Sequence, residues 1–395
     1  MVKVAVLGDG ITGTAVRRAL SHLKGYEAVA DLDRADIVVA SPGIPPRDYP
    51  AGKAVISEIE FAYQLIHTGA AGPIPKLIGI TGTNGKTTVT ALIAHLLQVP
   101  AYGNIGTPLI DYVTQEHFHP FLVVELSSYQ LESCDTFRPD VAVFLNLTPD
   151  HFARHRDMVG YGSSKSKIFA RQTPSDTLVY NADDPALAPW IAGAVAQKRP
   201  FGKDDPLFGQ VSCYLHLKGT HNVYNGMAAA LAVAAVGLDQ QTIWTRMETF
   251  PGVAHRIEYV ATVRGVEVYN DSKGTNPDST ICAVEAFPDR RIHLILCGQD
   301  KGLPLEEFAR FLAERVVSVT VFGEMTSRFT PIFEAQNSSV PLRTARTMSD
   351  AWQRVLSHLR AGDVILFSPS GASFDQFKNF EDRGDQFKAM VKGAL

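Results

Sequence analysis

Two kinds of apolar run alternate along the chain. Short, nearly continuous stretches such as Val2–Leu7, Ile37–Ala40, Lys76–Ile80, Phe121–Val124, Val141–Asn146 and Ile292–Cys297 read as strands buried on both faces. Between them, Thr14–Leu23, Thr87–Leu97 and the alanine-rich stretch up to Val236 place apolar residues at helical spacing. That alternation predicts α/β architecture with largely parallel sheets. Ile257–Val263 and Val266–Tyr269, on either side of Arg264-Gly265, read as a hairpin, and the alternation resumes through Val317–Phe322 and Val364–Phe367. Phe201–Leu217 has no clear period. Two breaker-rich stretches, Gly69–Pro75 and Phe250–Gly252, divide the chain into domains at 1–72, 73–252 and 253–395.

A chain of 395 residues is too long for one ordinary core, so several domains agree with its length. Hydrophobic residues at 45% and charged residues at 20% are ordinary for a folded soluble protein. A net charge of −4 leaves no basic footprint, so nucleic acid is not an expected partner. Cys134, Cys213, Cys282 and Cys297 are scattered without metal-site or disulfide-scaffold spacing, which predicts reduced thiols. The sequence enters its first strand at once, and no run reaches the ~18 apolar residues of a membrane span. A cytoplasmic protein without membrane contact is expected.

The densest chemistry lies in Thr81–Thr88, TGTNGKTT, between a strand and a helix. Gly82 and Gly85 allow a tight bend whose N–H groups, with the helix N-terminus, suit a phosphate. Lys86 would reach the outer phosphates and the Thr87 hydroxyl a magnesium ion. A strict P-loop would have glycine where Ile80 stands. Glu125 ends the strand Phe121–Val124, and His151 follows Val141–Asn146, so both enter one crevice suited to the nucleotide's metal. Gly8–Gly13 forms a G-x-G-x-x-G turn, with Asp31 or Asp33 at the position of a ribose-binding acid. About seventy residues are too few for two mononucleotide halves of ~30-residue βα units each, so a compact module for one nucleotide diphosphate, faced by Thr12, is the better reading. His221, Asn222 and Asn225 open the alanine-rich helix, where they could meet a nucleotide, cap the helix or pack. Lys301 offers a fixed cation for a carboxylate.

TGTNGKTT resembles the Mur ligase family, the ATP-dependent amide-forming enzymes of peptidoglycan precursor synthesis, and their folylpolyglutamate synthase relatives. SPGI at Ser41–Ile44, VYNADD at Val179–Asp184, and NDSKGTN, SPSGAS and DQFKNFEDRG in the last third extend the resemblance over essentially the whole chain, towards the members that add D-glutamate. It implies a shortened Rossmann-like N-terminal module, a central P-loop ATPase-type domain and a C-terminal Rossmann-like domain. The amino-terminal module departs from the family between Tyr26 and Asp36, where most of a strand and helix is missing. By resemblance, UDP-N-acetylmuramoyl-L-alanine would meet Thr12, Ser41, Asn104 and His151. ATP would meet Gly82, Thr83, Asn84, Gly85, Lys86, Thr87, Thr88, Asn222, Asn225, Arg256 and Asp271. Two Mg2+ ions, or Mn2+, would be held by Thr87, Glu125, His151 and a carbamate on Lys165, with Lys86, His151 and Lys165 catalytic. Lys165 is favoured over Lys167 by its distance from Ile168-Phe169; spacing alone makes SSKSKIFARQ an exposed basic helix start. D-Glutamate would meet Thr275, Lys301, Ser370 and Phe377. A monomer is expected. The turn at Gly8–Gly13 alone would suit an NAD-dependent oxidoreductase, and the P-loop alone a nucleotide-binding switch or another amide ligase.

Overall fold

The computed structural model describes residues 1–69, 72–115 and 118–393. Ala70 and Ala71, within the first breaker-rich stretch, lie outside them. The chain forms an α/β fold with three sheets in two compact units. One unit comprises Met1–His216 with Val223–Phe250; the other takes in Leu217–Asn222 and the chain from Pro251 onward.

The first unit carries two all-parallel sheets. Strands β1 (Val2–Leu7), β2 (Tyr26–Ala28), β3 (Ile37–Ala40) and β4 (Val55–Ser57) pair in the order β2-β1-β3-β4. Between Tyr26 and Asp36 the chain forms only a three-residue β2 and a single 3-10 turn at Leu32–Arg34. β5 (Lys76–Thr81), β6 (Ala101–Gly103), β7 (Phe121–Glu125), β8 (Val141–Phe144), β9 (Thr177–Asn181) and β10 (Gln197–Phe201) form the larger sheet, ordered β10-β9-β8-β5-β7-β6. Its centre, β5, lies between β7 and β8, which brings the ends of all three strands together. Both sheets share one core, in which Val4, Phe61 and Leu65 join Leu77, Ile110 and Phe137.

Several boundaries differ from the sequence reading. The first helix runs Ile11–Leu20 rather than from Thr14, because extended Gly10 caps it and Gly13 lies inside its first turn. A Cβ on Gly13 would stand 2.0 Å from the Gly8 carbonyl oxygen, so this glycine permits close helix–strand packing. Phe201–Leu217 resolves into the end of β10 and the helix Pro206–Tyr214, capped by Asp205. SSKSKIFARQ is not an exposed helix start. Asp157 caps a helix over Met158–Ser166, so Lys165 falls in its last turn and is 1% exposed.

In the second unit, β11 (Glu258–Val263), β12 (Val266–Asn270), β13 (Ile292–Cys297), β14 (Ser318–Phe322), β15 (Leu342–Thr344) and β16 (Val364–Ser370) are ordered β11-β12-β16-β13-β14-β15. The expected hairpin is the antiparallel pair β11–β12, at the sheet edge, and every other pairing is parallel.

Candidate active site

The bend after β5 is built as a cradle. Gly82 and Gly85 stand at φ 154° and 86°, backbone a side chain rarely adopts, and Gly85 caps the helix Lys86–Leu97. Asn146, after β8, clamps the bend: its Oδ1 accepts from Asn84 N at 2.8 Å and its Nδ2 donates to Asn84 O at 3.0 Å. Thr83 N donates to Asn146 O at 3.0 Å. Lys86 curls back, its Nζ donating to Gly82 O and Thr83 O at 2.8 and 2.7 Å. Thr87 and Thr88 are buried in the helix's first turn. Asn225 reaches the same bend, since a Cβ on Gly85 would stand 2.4 Å from its Oδ1. Asn222 instead donates to Lys218 O at 2.7 Å, within the second unit, as a helix-start residue does.

Lys165 Nζ donates to Gly82 O at 2.7 Å, so two lysines converge on one carbonyl. Complete burial, and then the Lys86 charge, hold the Lys165 amine well below the ordinary lysine range. Its Nζ lies 4.6 Å from the centroid of the buried Tyr161 ring, one helical turn earlier. Glu125 is 1% exposed; Asn104 Nδ2 donates to its Oε1 at 2.9 Å, and its buried Oε2 has no hydrogen-bond partner among the described residues. The Asp150 and Glu125 charges favour protonated Lys165, and Glu125 pairs across the strands with Ile80, two residues before Gly82. His151 sits at φ 57°, with its Nε2 3.6 Å from Asp150 Oδ2 and its ring 6.1 Å from Tyr161. Glu125, His151, Lys165 and Lys86 thus gather around Gly82 and Tyr161. Among the described residues no group of three or more His, Cys, Asp or Glu is gathered as a metal cluster. The buried, unpartnered Glu125 oxygen and the Thr87 hydroxyl at the helix start are hard donors that fit a magnesium ion beside a phosphate.

The remaining expected residues form two further groups. Thr12 lies in the first turn after Gly10, and Ser41, whose buried Oγ has no partner among the described residues, packs against the same bend: a Cβ on Gly8 would meet that oxygen at 2.7 Å. A cleft of about 420 Å³ runs from this bend to Gly106–Asp111, just beyond Asn104. In the second unit Lys301 and Ser370 line one narrow cleft, and Ser370 stands at φ 65° with a buried, unpartnered Oγ among the described residues. Thr275 lies in the turn after β12. Phe377 is not among the residues lining that cleft and packs against the apolar cluster containing Phe387. Asp271 is fully buried, where burial pushes its carboxyl up to about 6; its Oδ2 accepts from Ser368 at 2.8 Å, and Arg256 approaches its Oδ1 at 3.9 Å.

Sequence reasoning missed Asp150, Asn146, Tyr161 and Arg383. Asp150 stood beside His151 in TPDH, and Tyr161 stands four residues before Lys165, which is a readable helical signal. Arg383 is 0% exposed and braces the last third's turns, donating to Ser272 O at 2.7 Å and Gly371 O at 3.0 Å. Arginine ordinarily reads as surface.

Residues 80–233 match the model of the Mur ligase middle domain, and residues 255–371 that of the Mur ligase glutamate ligase domain. The chain is 37% identical to UDP-N-acetylmuramoylalanine–D-glutamate ligase of Pelotomaculum thermopropionicum, over 97% of this chain and 88% of that one. It is 36% identical to the same-named ligase of Geotalea uraniireducens, over 99% and 97%. Among solved structures, the MurF ligase of Thermotoga maritima in complex with ADP superposes with a TM-score of 0.67 at 17% identity, covering 99% of this chain and 95% of that one.

Proposed function

Starting from a chain that belongs to the Mur ligase family, we propose that it joins D-glutamate to the L-alanyl carboxylate of UDP-N-acetylmuramoyl-L-alanine at the expense of ATP. The observation that carries the catalytic reading is the convergence of Lys86 and Lys165 on Gly82 beside the unpartnered Glu125 oxygen. Such a bend suits a nucleotide's terminal phosphates and the cation that accompanies them.

A carboxylate resists attack by an amine because its oxide is a poor leaving group. Transfer of the γ-phosphoryl group to that oxygen makes an acyl phosphate and releases ADP. The neutral D-glutamate amine then attacks the carbonyl carbon, and the tetrahedral intermediate expels phosphate to leave an amide. In the first unit, the N–H groups between Gly82 and Lys86 hold phosphate oxygens, and Lys86 leaves its loop carbonyls for the charge that moves with the γ-phosphoryl. Thr87 and Glu125, with His151 and Lys165, would hold a magnesium ion, which when bound would supply electrostatic neutralisation of the phosphate oxygens. Lys165 has the burial and the Lys86 neighbour that favour a neutral amine. Such an amine adds to carbon dioxide, forming an N–C bond and losing one proton, which turns the residue into an anionic carbamate. Thr12, Ser41 and Asn104 hold the UDP-sugar. In the second unit, Lys301 pairs with a D-glutamate carboxylate, and Ser370 offers its hydroxyl beside it. Buried Asp271 holds the Arg256 guanidinium in place within the same unit.

The test is phosphate release from ATP with UDP-N-acetylmuramoyl-L-alanine and a panel of amino acids. Release above background is expected with D-glutamate alone. Equal release with L-glutamate, or with no amino acid, would refute the assignment.

A further inference from the structure

We propose that Tyr129 is a positioning residue for His151, and that Arg154 locks Tyr129 to the turn that follows Ser41. The inference rests on the reading of His151 given above.

The backbone does little to orient the His151 ring. The residue precedes a single helical turn, Phe152–His155, in left-handed conformation, and its side chain is 40% exposed. One ring nitrogen, Nε2, faces the Asp150 carboxylate. The other, Nδ1, lies 3.0 Å from the Tyr129 hydroxyl, with the two ring centroids 5.0 Å apart. A hydroxyl at that distance holds one ring orientation, donating to Nδ1 or accepting from it in either tautomer.

Tyr129 is itself held from two directions. It lies on the helix Ser128–Glu132, whose start is fixed by the reciprocal Ser127–Gln130 capping box. The Arg154 guanidinium lies over its ring, 4.9 Å from the centroid. Arg154 cannot swing freely. Its Nε and one terminal nitrogen donate to Glu132 Oε2 at 2.9 and 2.7 Å, and that nitrogen also donates to Ile44 O at 2.9 Å. The Arg154 and Glu132 side chains are 11% and 12% exposed, so the pair is shielded from solvent. One guanidinium thus ties the carbonyl of Ile44, in the Ser41–Ile44 segment, to the ring whose hydroxyl aims His151.

The substitution Tyr129→Phe keeps the ring under Arg154 and removes only the hydroxyl. Measured on the full chain, it is expected to lower kcat about 10–100-fold, the usual loss for a partner that orients a ligand side chain. KM for ATP should stay within about twofold and the thermal midpoint should be unchanged. In the ligand-free protein, the ring 15N and 13C resonances of His151 should shift. Arg154→Lys, which keeps a charge for Glu132 but loses the fork, should cause a smaller loss of the same kind, and the double variant should be no worse than Tyr129→Phe. Unmoved His151 resonances together with wild-type kcat in Tyr129→Phe would overturn the proposal. His151→Ala separates the two claims. Loss of turnover there, with a silent Tyr129→Phe, sinks only the positioning role; full turnover in His151→Ala sinks the reading of His151 and this inference with it.

Discussion

Lysine 165 is one residue at which local sequence and tertiary environment disagree. Its neighbours Ser163, Ser164, Ser166 and Lys167 are polar, yet it is buried, because the helix is set by Asp157 and presents this position to Gly82 and Tyr161. A lysine so placed is costly as an ammonium and reactive as an amine. The sign follows from its lowered folded-state value. Protonation is penalised in the fold, so the residue opposes stability below the unfolded lysine range, and that opposition fades as pH rises towards it. Lys165→Ala should therefore fold at least as well as the parent while losing turnover. Short carboxylic acids supplied in solution should restore part of the activity by replacing the anion. Full activity without carboxylate or bicarbonate would remove the carbamate from the account. Sequence reasoning could not see the burial, because no local pattern reports which face of a short helix turns inward.

At the level of elements, the P-loop strand, its bend and its helix were readable because each signal is local: apolar run, paired glycines, then lysine and threonine. The three-residue strands β2, β4, β6 and β15 were not, since so few positions cannot establish a period. Glu58 shows what joins such elements. It opens the helix Glu58–His67, is 2% exposed, and accepts from Ile110 N at 2.5 Å, fixing the segment just beyond Asn104. Its other oxygen has no partner among the described residues, and burial pushes the carboxyl up to about 7 from 4.5. The folded state thus binds the proton more tightly than the unfolded chain. The stability linked to that proton is complete below pH 4.5 and is lost as pH rises towards about 7, an effect on the order of 3 kcal/mol. Glu58→Gln should flatten that dependence, so that the difference in urea midpoint between pH 5 and pH 8 shrinks relative to the parent. An unchanged difference would show that Glu58 does not titrate in this range.

At the scale of the whole molecule, the α/β class and the succession of motifs were legible, because strand–helix alternation is written directly into the hydrophobic pattern. Contacts that join distant segments were not. Asn146 clamping Asn84, Arg383 reaching Ser272, and Arg154 reaching Ile44 all pair residues far apart in sequence. They arise only once parallel strands bring their ends together, as the order β8-β5-β7 does around the phosphate bend. The central claim is that the substrate carboxylate is phosphorylated and then captured by D-glutamate. Its most direct test is oxygen transfer, with UDP-N-acetylmuramoyl-L-alanine labelled with 18O in its alanyl carboxylate and incubated with this protein, ATP and D-glutamate. The account predicts that each phosphate released carries one labelled oxygen and that labelled phosphate accumulates only when D-glutamate is present; phosphate free of label, formed as amide accumulates, would contradict it.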